Sequence, residues 1–521
     1  MSKFLRCYRD FSGGLSEVAN DNMEDNQLAQ AVNIVPGEGY GICRSFGTEI
    51  ALPRLEGQDS PQGLRYLVDL TVATDNTHTL AFSQDEAGCW RLYRYDSGEN
   101  IWGLIQEDIS PVRDWFIHGN QLYWLSGQDI SCYDGSQVSS VDQPSQMSEA
   151  VWNRLKTAAA VEQRGQRWFY ATTNNEVLFS QIGEPFSLED TAVINVNTKN
   201  DDVITALHAF GSGLLIFKRY SVHYLSGWDL EGGTDVQLIQ LSVTSGTRWG
   251  QTVVTMEKGV FYLGENGLYR LYVPSNIQTV AAENVSEHKI SDAIFAEGEL
   301  TEAFATAWDN TYFFTVRGSQ PNSLRREYRY YPHLEAFFGP FTQEAVSYSL
   351  RQGQLYLGVE NGYILRYQKD SRHYINPVTG GLAAIPVYAV TKGFDVANAM
   401  VQDIRLRKVV AVARQYKEEQ SHFTVRVKAD YRDNAYQVGL VELDESLVYG
   451  EGSFGQVYWG WADTVTKELA IKRRTKRLWF FISDEHVDEP LLIYGLGLVF
   501  KKRNAKGSRL GVQMTPVDYE E

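Results

Sequence analysis

Short apolar runs separated by Gly- or Asn-bearing turns recur along the middle of the chain. The pattern is clearest in GSGLLIFKRYSVHYLSG (Gly211–Gly227) and KGVFYLGENGLYRL (Lys258–Leu271), where each pair of runs reads as a β-hairpin. Aligning the first run of each unit gives steps of 46, 47, 46, 52 and 42 residues. The aligned pairs are Leu122-Tyr123, Trp168-Phe169, Leu215-Ile216, Phe261-Tyr262, Phe313-Phe314 and Leu355-Tyr356.

Repeats of this length, with about four short strands apiece, are typical of β-propeller blades. An earlier unit fits the same pattern, with alternating runs at Leu64–Thr71, Thr79–Gln84 and Trp90–Tyr95. We therefore predict an all-β fold in which residues 64–375 form a propeller of six or seven blades, some of them irregular. The alternative is an irregular all-β domain whose spacing is accidental.

The repeat stops at the turn cluster Asn376–Gly381, and longer strands follow. They predict an antiparallel β-sandwich over residues 376–505, followed by a polar tail at residues 506–521. The predicted strands are Ile404–Val412, Phe423–Tyr431, Arg477–Ile482 and Leu491–Lys501.

The first 63 residues do not follow the repeat. They are rich in turns and acidic residues, and one short stretch, Asn26–Val32, has a helical pattern. Such a segment cannot bury much surface by itself, so we predict an extended leader that packs on the body or on a neighbouring subunit. A mobile leader is the alternative.

Composition agrees with a strand-rich protein: aromatic residues make up 13% of the chain, and there are 44 Gly against 14 Pro. The cysteines, Cys7, Cys43, Cys89 and Cys132, lack any C-x-x-C spacing and are expected to be free thiols. Residues 1–10 carry charges where a signal peptide would be apolar, and the longest apolar run, Leu491–Phe500, is too short to cross a bilayer.

The net charge of −17 is unevenly distributed. Residues 401–521 carry 19 Lys and Arg against 18 Asp and Glu, whereas residues 1–400 carry 29 against 47. Nucleic-acid binding needs clustered positive charge. A chain this acidic is therefore a poor candidate for tight binding to the DNA phosphates. It suits a surface past which DNA slides.

One motif imitates a nucleotide-binding site. Gly450–Val457 fits the glycine-rich loop of protein kinases, and Lys472 follows at the position of a phosphate-pairing lysine. Only 49 residues remain after Lys472, without H-R-D or D-F-G, so there is no room for a catalytic lobe. No H-E-x-x-H, G-x-S-x-G or Walker motif is present either. We therefore predict no catalytic residues, no cofactor and no metal ion.

Two basic runs abut apolar strands near the C-terminus, one ending in Arg477 and the other at Lys501-Lys502-Arg503. Charge complementarity fixes the register of protein partners, so the first run is a candidate docking patch for an acidic partner subunit. A solvated strand start is the simpler reading, and DNA binding is a third. The candidate patch consists of Lys472, Arg473, Arg474, Lys476 and Arg477.

The chain resembles the tail nozzle proteins, also called hub or tail tubular proteins, of short-tailed double-stranded DNA bacteriophages. The resemblance begins with Asp10–Leu15, Asn33 and Arg44-Ser45-Phe46-Gly47. It continues through Leu214–Lys218 and Val222–Gly227 to Thr244–Thr247, Gly259–Leu263 and Asn266–Tyr269. It covers the leader, the propeller and the sandwich in that order, and the shared motifs are structural.

The resemblance implies a non-enzymatic virion protein, made in the host cytoplasm and placed in the phage tail. It implies a homo-hexameric ring whose axial channel retains and then conducts double-stranded DNA during ejection. The implied partners are further copies of the chain, adaptor or head-to-tail connector subunits and fibre or needle proteins, with no sequence-specific DNA contact and no membrane insertion. The alternatives are a propeller-fold glycan hydrolase or depolymerase and a non-catalytic adhesion propeller. The hydrolase would need carboxylates, or a Tyr with Arg partners, converging on the propeller axis.

Overall fold

The repeating unit of the sequence is a four-stranded antiparallel sheet. The computed structural model describes residues 4–19, 21–55, 63–85, 87–196, 202–227, 236–274, 280–320, 323–376, 378–395, 404–416, 419–430, 436–443 and 464–502. The glycine-rich stretch Gly450–Val457 and the polar tail 506–521 lie outside these ranges. No helix within them is long and apolar enough to cross a membrane.

The leader consists mainly of short strands, with one short 3-10 helical turn at Glu38–Tyr40. They are β1 (Phe4–Tyr8), β2 (Gly14–Leu15), β3 (Gln27–Val32), β4 (Ile34–Pro36), β5 (Ile42–Arg44) and β6 (Gly47–Leu52). The predicted helical stretch at Asn26–Val32 is therefore wrong. It forms β3, whose Leu28 and Ala31 are buried and whose backbone pairs with two strands that lie more than 300 residues further along the chain. Tertiary pairing overrides the local pattern here.

Seven four-stranded units, blades 1 to 7, follow one another along the described part of the chain. Blades 1 to 3 contain β7 (Gly63–Ala73), β8 (Asn76–Gln84), β9 (Trp90–Asp96), β10 (Ile101–Ile109), β11 (Asp114–His118), β12 (Gln121–Leu125), β13 (Ile130–Tyr133), β14 (Val138–Ser140), helix α1 (Glu149–Leu155), β15 (Ala158–Arg164), β16 (Arg167–Thr172), β17 (Glu176–Phe179) and β18 (Val193–Asn195). Blades 4 to 6 contain β19 (Ile204–Phe210), β20 (Gly213–Lys218), β21 (Val222–Ser226), β22 (Gln237–Gln240), β23 (Val254–Met256), β24 (Gly259–Gly264), β25 (Gly267–Tyr272), β26 (Ala281–Asn284), helix α2 (Ser291–Ile294), β27 (Leu300–Trp308), β28 (Thr311–Gly318), β29 (Arg326–Tyr331) and β30 (Ala336–Phe341). Blade 7 contains β31 (Ala345–Arg351), β32 (Gln354–Val359), β33 (Ile364–Gln368) and β6.

The blades form a closed ring around an axis. The first strand of each blade lies on the inside, since β15 contacts β19, β27 contacts β31, and β31 returns to β7. Aromatic and aliphatic side chains fill the space between each pair of neighbours, as where Phe82 meets Trp124 with ring centroids 5.4 Å apart. Within the described residues, six blades are separate sheets, and blade 6 continues into a larger sheet of the C-terminal part. This arrangement confirms the predicted propeller.

The leader closes the ring. Strand β6 pairs antiparallel with β33 and so supplies the fourth strand of blade 7. Gly47 opens this strand because a Cβ there would collide with the carbonyl oxygen of His373. Its N–H donates to the Ser371 carbonyl at 2.7 Å. The propeller therefore takes strands from both sides of the predicted boundary at residue 64.

The C-terminal strands form two sheets that enclose a common core, as predicted for a sandwich. After a separate two-stranded sheet of β34 (His373–Ile375) and β35 (Leu382–Ala384), these strands are β36 (Val387–Thr391), β37 (Phe394–Asp395), β38 (Ile404–Arg414), β39 (Ser421–Ala429), β40 (Tyr436–Leu443), β41 (Thr464–Thr475), β42 (Arg477–Asp484) and β43 (Leu492–Lys502). One sheet runs β4-β5-β43-β38-β41, with β1 also on β43. The other joins β30 of blade 6 through β3 to β36-β42-β39-β40. Leu406, Leu498, Val425 and Phe480 are fully buried in their shared core.

A buried ion pair joins the leader to blades 6 and 7. Glu327 and Arg329 lie on β29 with both side chains fully buried, and Arg329 Nε donates to Glu327 Oε1 at 2.8 Å. The other carboxylate oxygen accepts from the hydroxyls of Tyr348 (2.7 Å) and Tyr367 (2.6 Å), both from blade 7. Arg329 Nη1 also donates to Ser45 Oγ of the leader at 3.0 Å. Three parts of the chain thus depend on one buried carboxylate.

We expect Glu327→Gln to lower the free energy of unfolding by about 3–5 kcal/mol, because it leaves the Arg329 charge buried without its counter-ion. Urea denaturation followed by tryptophan fluorescence would measure the shift. The matched control is Asp309→Asn, which removes the exposed pair with Lys369 and should cost less than about 1 kcal/mol. Equal shifts for the two variants would contradict the structural role of the buried pair.

Candidate docking surface and axial cluster

The residues of the predicted basic patch have different environments. Arg474 and Lys476 are exposed. Arg477 is not available, because its guanidinium pairs with Asp21 of the leader at 2.5 Å and with Asp395 at 2.8 Å. Lys472 and Arg473 lie on β41, and their side chains are outside the part of the structure that is described.

Strand pairing adds two further cations to Arg474. Arg405 on β38 lies directly opposite Arg474 on β41, and Lys501 on β43 lies opposite Arg405 on the other side. Directly opposite residues of antiparallel strands share a face of the sheet. The neighbouring Leu406 is fully buried, so these three side chains lie on the outer face of the sandwich. We call Arg405, Arg474 and Lys501 the basic row.

The basic row carries uncompensated charge. None of its three side chains makes an ion pair with another residue that the structure describes, although the chain as a whole carries −17. Like charges placed opposite one another across strands are destabilising. An acidic partner surface would relieve this repulsion and fix the register of docking. The sequence indicated Arg474, but only the strand register brings Arg405 and Lys501 beside it.

A second group of polar residues lies on the inner strands of blades 2 to 5. Asp114 begins β11 and accepts the backbone N–H of Val161 in blade 3 at 2.8 Å. Glu162 in blade 3 accepts the backbone N–H of Ala209 in blade 4. His208 in blade 4 hydrogen-bonds through Nε2 to the Thr255 hydroxyl of blade 5 at 2.6 Å. We call Asp114, Glu162 and His208 the axial cluster, and each member links its blade to the next.

Burial shifts all three pKa values toward the uncharged form. It raises the pKa of Asp114 to about 6, against the lowering effect of the two backbone N–H groups that the carboxylate accepts. It raises the pKa of Glu162 to about 7, and the neighbouring Asp114 charge contributes to the rise. Burial also lowers the pKa of His208 to about 4. The propeller interior therefore holds carboxyls that are partly protonated near neutrality.

Side chains also bridge across the axis. Tyr66 of blade 1 hydrogen-bonds with Gln251, which precedes the inner strand of blade 5. Arg65 of blade 1 approaches Glu302 of blade 6 at 3.6 Å. Blade 1 is not next to blade 5 or blade 6 in the ring. The two bridges therefore narrow the opening along the propeller axis. Sequence reasoning missed the axial cluster because its members come from different repeats and share no motif.

A cavity of about 550 Å³ opens beside blade 5. Ion pairs border it, with Arg219 Nε 2.8 Å from Glu265 and Arg248 Nη2 2.7 Å from Glu299. Its lining residues are Trp249, Glu265, Asn266, Ser291, Asp292, Phe295, Gly298, Glu299 and Leu300. The mixture of carboxylates, amide, hydroxyl and aromatic groups suits a polar ligand rather than an apolar one.

Comparison with known proteins does not assign the chain to a family. No protein-family model and no curated protein matches the chain. Among solved structures, the chain is similar to the extracellular domain of the one-component system BT4673 from B. thetaiotaomicron, with 10% identity and a TM-score of 0.43 over 82% of this chain. The matched region spans 60% of that domain. The computationally designed protein Ika8 matches 62% of this chain and 99% of its own, at 11% identity and a TM-score of 0.35. The WD40 domain of Neurospora crassa Pan2 matches 59% of this chain and 89% of its own, at 8% identity and a TM-score of 0.31.

We expect Glu162→Gln to stabilise the protein increasingly as the pH rises from about 4.5 to 8. In the folded protein the Glu162 carboxyl has a pKa of about 7, whereas in the unfolded chain its pKa is near 4.5. Across that interval ionisation of Glu162 therefore lowers the stability of wild type, and the variant lacks this contribution while it keeps those of Asp114 and His208. The difference should reach about 1–3 kcal/mol.

Urea denaturation midpoints at several pH values would measure this effect. Glu184→Gln is the control, since Glu184 is exposed and should leave the pH profile unchanged. Parallel profiles for wild type and Glu162→Gln would show that the carboxyl ionises freely in the folded state.

Proposed function

We propose that this chain is a structural virion protein, a tail nozzle subunit of a short-tailed double-stranded DNA phage. Copies of it form a ring, most simply a hexamer, whose channel retains and then conducts the genome during ejection. The ring contacts head-to-tail connector subunits on one side and fibre or needle proteins on the other. The observation that carries this proposal is the structural role of the residues on which the nozzle resemblance rests.

Of these residues, Asn33 and Arg44 lie at the joint between leader, propeller and sandwich, whereas the segments from Leu214 to Tyr269 belong to blades 4 and 5. The Asn33 side chain donates to the Pro386 carbonyl at 2.8 Å and accepts from the Thr342 N–H at 2.8 Å. Arg44 forms a buried ion pair with Asp484 of β42. Contacts of this kind join three parts of the chain and carry no chemistry, which supports an architectural function.

In such a ring, the basic row and the acidic propeller would have different functions, the first in docking and the second in lining the channel. Charge complementarity between the row and an acidic surface of the next subunit would fix the register of assembly. Residues 1–400, which carry 47 acidic against 29 basic side chains, would supply walls that repel DNA and keep it hydrated. Ring symmetry repeats each lining residue once per subunit, so small charge preferences are multiplied.

A propeller-fold glycan hydrolase is the second candidate, and the axial cluster is the observation that favours it. A carboxyl with a raised pKa, such as Glu162, suits a general acid. The carboxylates of Asp114 and Glu162, however, each accept a backbone N–H from the next blade. Tyr66 and Gln251 also bridge the axis beside them. These contacts favour the role of the axial cluster in holding blades together.

Negative-stain electron microscopy of the purified chain, with a glycan-release assay on capsular polysaccharide, separates the two proposals. The nozzle predicts a six-fold ring with a central hole, without release of oligosaccharide. In a higher-resolution map, Asp and Glu should line the hole. Monomers that cleave glycan, with activity lost in Glu162→Gln, would support the hydrolase, and a lumen lined mainly by Lys and Arg would contradict the conduit.

We expect Arg474→Glu to weaken ring assembly, and Arg405→Glu with Arg474→Glu to weaken it further, because both reverse charges that face an acidic partner. The effect should be larger at low salt, where charges are least screened. Sedimentation velocity at low and high salt would measure it. Arg154→Glu, an exposed reversal on the propeller helix α1, is the matched control. Unimpaired assembly of the double variant would show that the basic row is not a docking surface.

A further inference from the structure

Two histidines and a glutamate converge where the sandwich meets blade 7 and the leader. His422 lies near the start of β39, whereas His486 and Glu489 belong to the loop between β42 and β43. His422 Nδ1 lies 2.9 Å from Glu489 Oε2, and the two imidazole rings are 5.0 Å apart. Each residue presents one potential ligand atom, and these atoms all lie within 4.8 Å of one another.

The donor set and its spacing fit a transition-metal ion. Zinc binds imidazole nitrogen and carboxylate oxygen at about 2.0–2.2 Å, which places tetrahedral ligands about 3.4 Å apart. Rotations of the His486 and Glu489 side chains can close the remaining gap, because both residues lie on a loop. Two imidazoles and one carboxylate suit Zn²⁺, Co²⁺ or Ni²⁺ rather than Ca²⁺ or Mg²⁺, which prefer oxygen ligands alone.

The surroundings orient the cluster as outer-shell groups do in known metal sites. Asp484, whose side chain is fully buried, hydrogen-bonds with His486 Nδ1 at 2.6 Å and so orients the imidazole beside Glu489. Asp484 is itself held by its ion pair with Arg44. Half of the His486 side-chain surface is exposed (51%), which provides access for an ion and room for a water ligand.

We propose that His422, His486 and Glu489 bind one divalent transition-metal ion per chain, of the Zn²⁺ class, with an open fourth position. The ion would fasten the β42–β43 loop to β39. The same loop holds the leader, since Arg44 Nη1 donates to the His486 carbonyl at 2.6 Å. It also holds the propeller side, since Asp488 pairs with His373 at 2.5 Å. Metal binding would therefore stabilise the junction of leader, propeller and sandwich, whether or not the chain is a nozzle subunit.

The test is Co²⁺ titration of the full-length chain, prepared without a histidine tag and freed of metal by chelator. We expect the visible absorption bands of low-coordinate Co²⁺ with a stoichiometry of one, removed by equimolar Zn²⁺. Thermal unfolding should shift to higher temperature with Zn²⁺ and saturate at the same stoichiometry, because the ion binds only the folded site.

His486→Ala should weaken Co²⁺ binding at least tenfold. Glu489→Gln, which retains an acceptor for the His422 N–H, should do the same and guards against a folding defect in the first variant. His288→Ala is the matched control, since His288 is 77% exposed beside a glutamate and should bind no differently from wild type. Loss of circular dichroism signal would identify a misfolded variant. The result for the other, folded variant would then decide whether the cluster binds Co²⁺. Absence of stoichiometric Co²⁺ bands, or bands unchanged in both variants, would overturn the proposal.

Discussion

Closure of the propeller ring is the constraint on which the rest of the structure depends. The last blade has only three strands of its own, and its fourth, β6, comes from the leader. Without β6, blade 7 would expose the unpaired edge of β33. Because β6 follows closely on β3 and β5, which pair with the sandwich strands β36 and β43, the segment that closes the ring also brings the sandwich against it. One continuous segment therefore serves both ring closure and the docking of the sandwich.

Buried polar groups make that joint specific. Apolar surfaces alone would allow the leader to slide in register, whereas a buried charge is tolerated only beside its partner. Arg329 requires Glu327, and Arg44 requires Asp484. Asn33 adds hydrogen bonds to segments more than 300 residues away. Each contact joins parts that are distant in sequence, so a misplaced leader would leave several buried polar groups without their partners.

The sequence allowed prediction of what is local. The aligned apolar pairs lie on the second strand of their blades, where residues such as Leu215 and Phe261 are buried on both faces and the repeat is therefore most regular. The same local reasoning assigned a helix to β3, because it could not see that β36 would pair with it. The axial cluster, the full basic row (of which only Arg474 and Lys501 stood out in the sequence) and the His422 group were missed for a related reason. Each assembles residues from separate strands, and only the register places them together.

The register also explains why docking and sliding surfaces can coexist in one acidic chain. Many propeller arginines are already paired within the chain, as Arg248 is with Glu299, Arg317 with Glu360 and Arg366 with Glu49. Their charge is therefore unavailable to a phosphate backbone, and the unpaired acids set the sign of the surrounding field. Arg405 and Arg474 differ because the sheet sets cation against cation. If the chain lines a DNA conduit, this segregation lets the sandwich attract an acidic neighbour while the propeller leaves the passing duplex free.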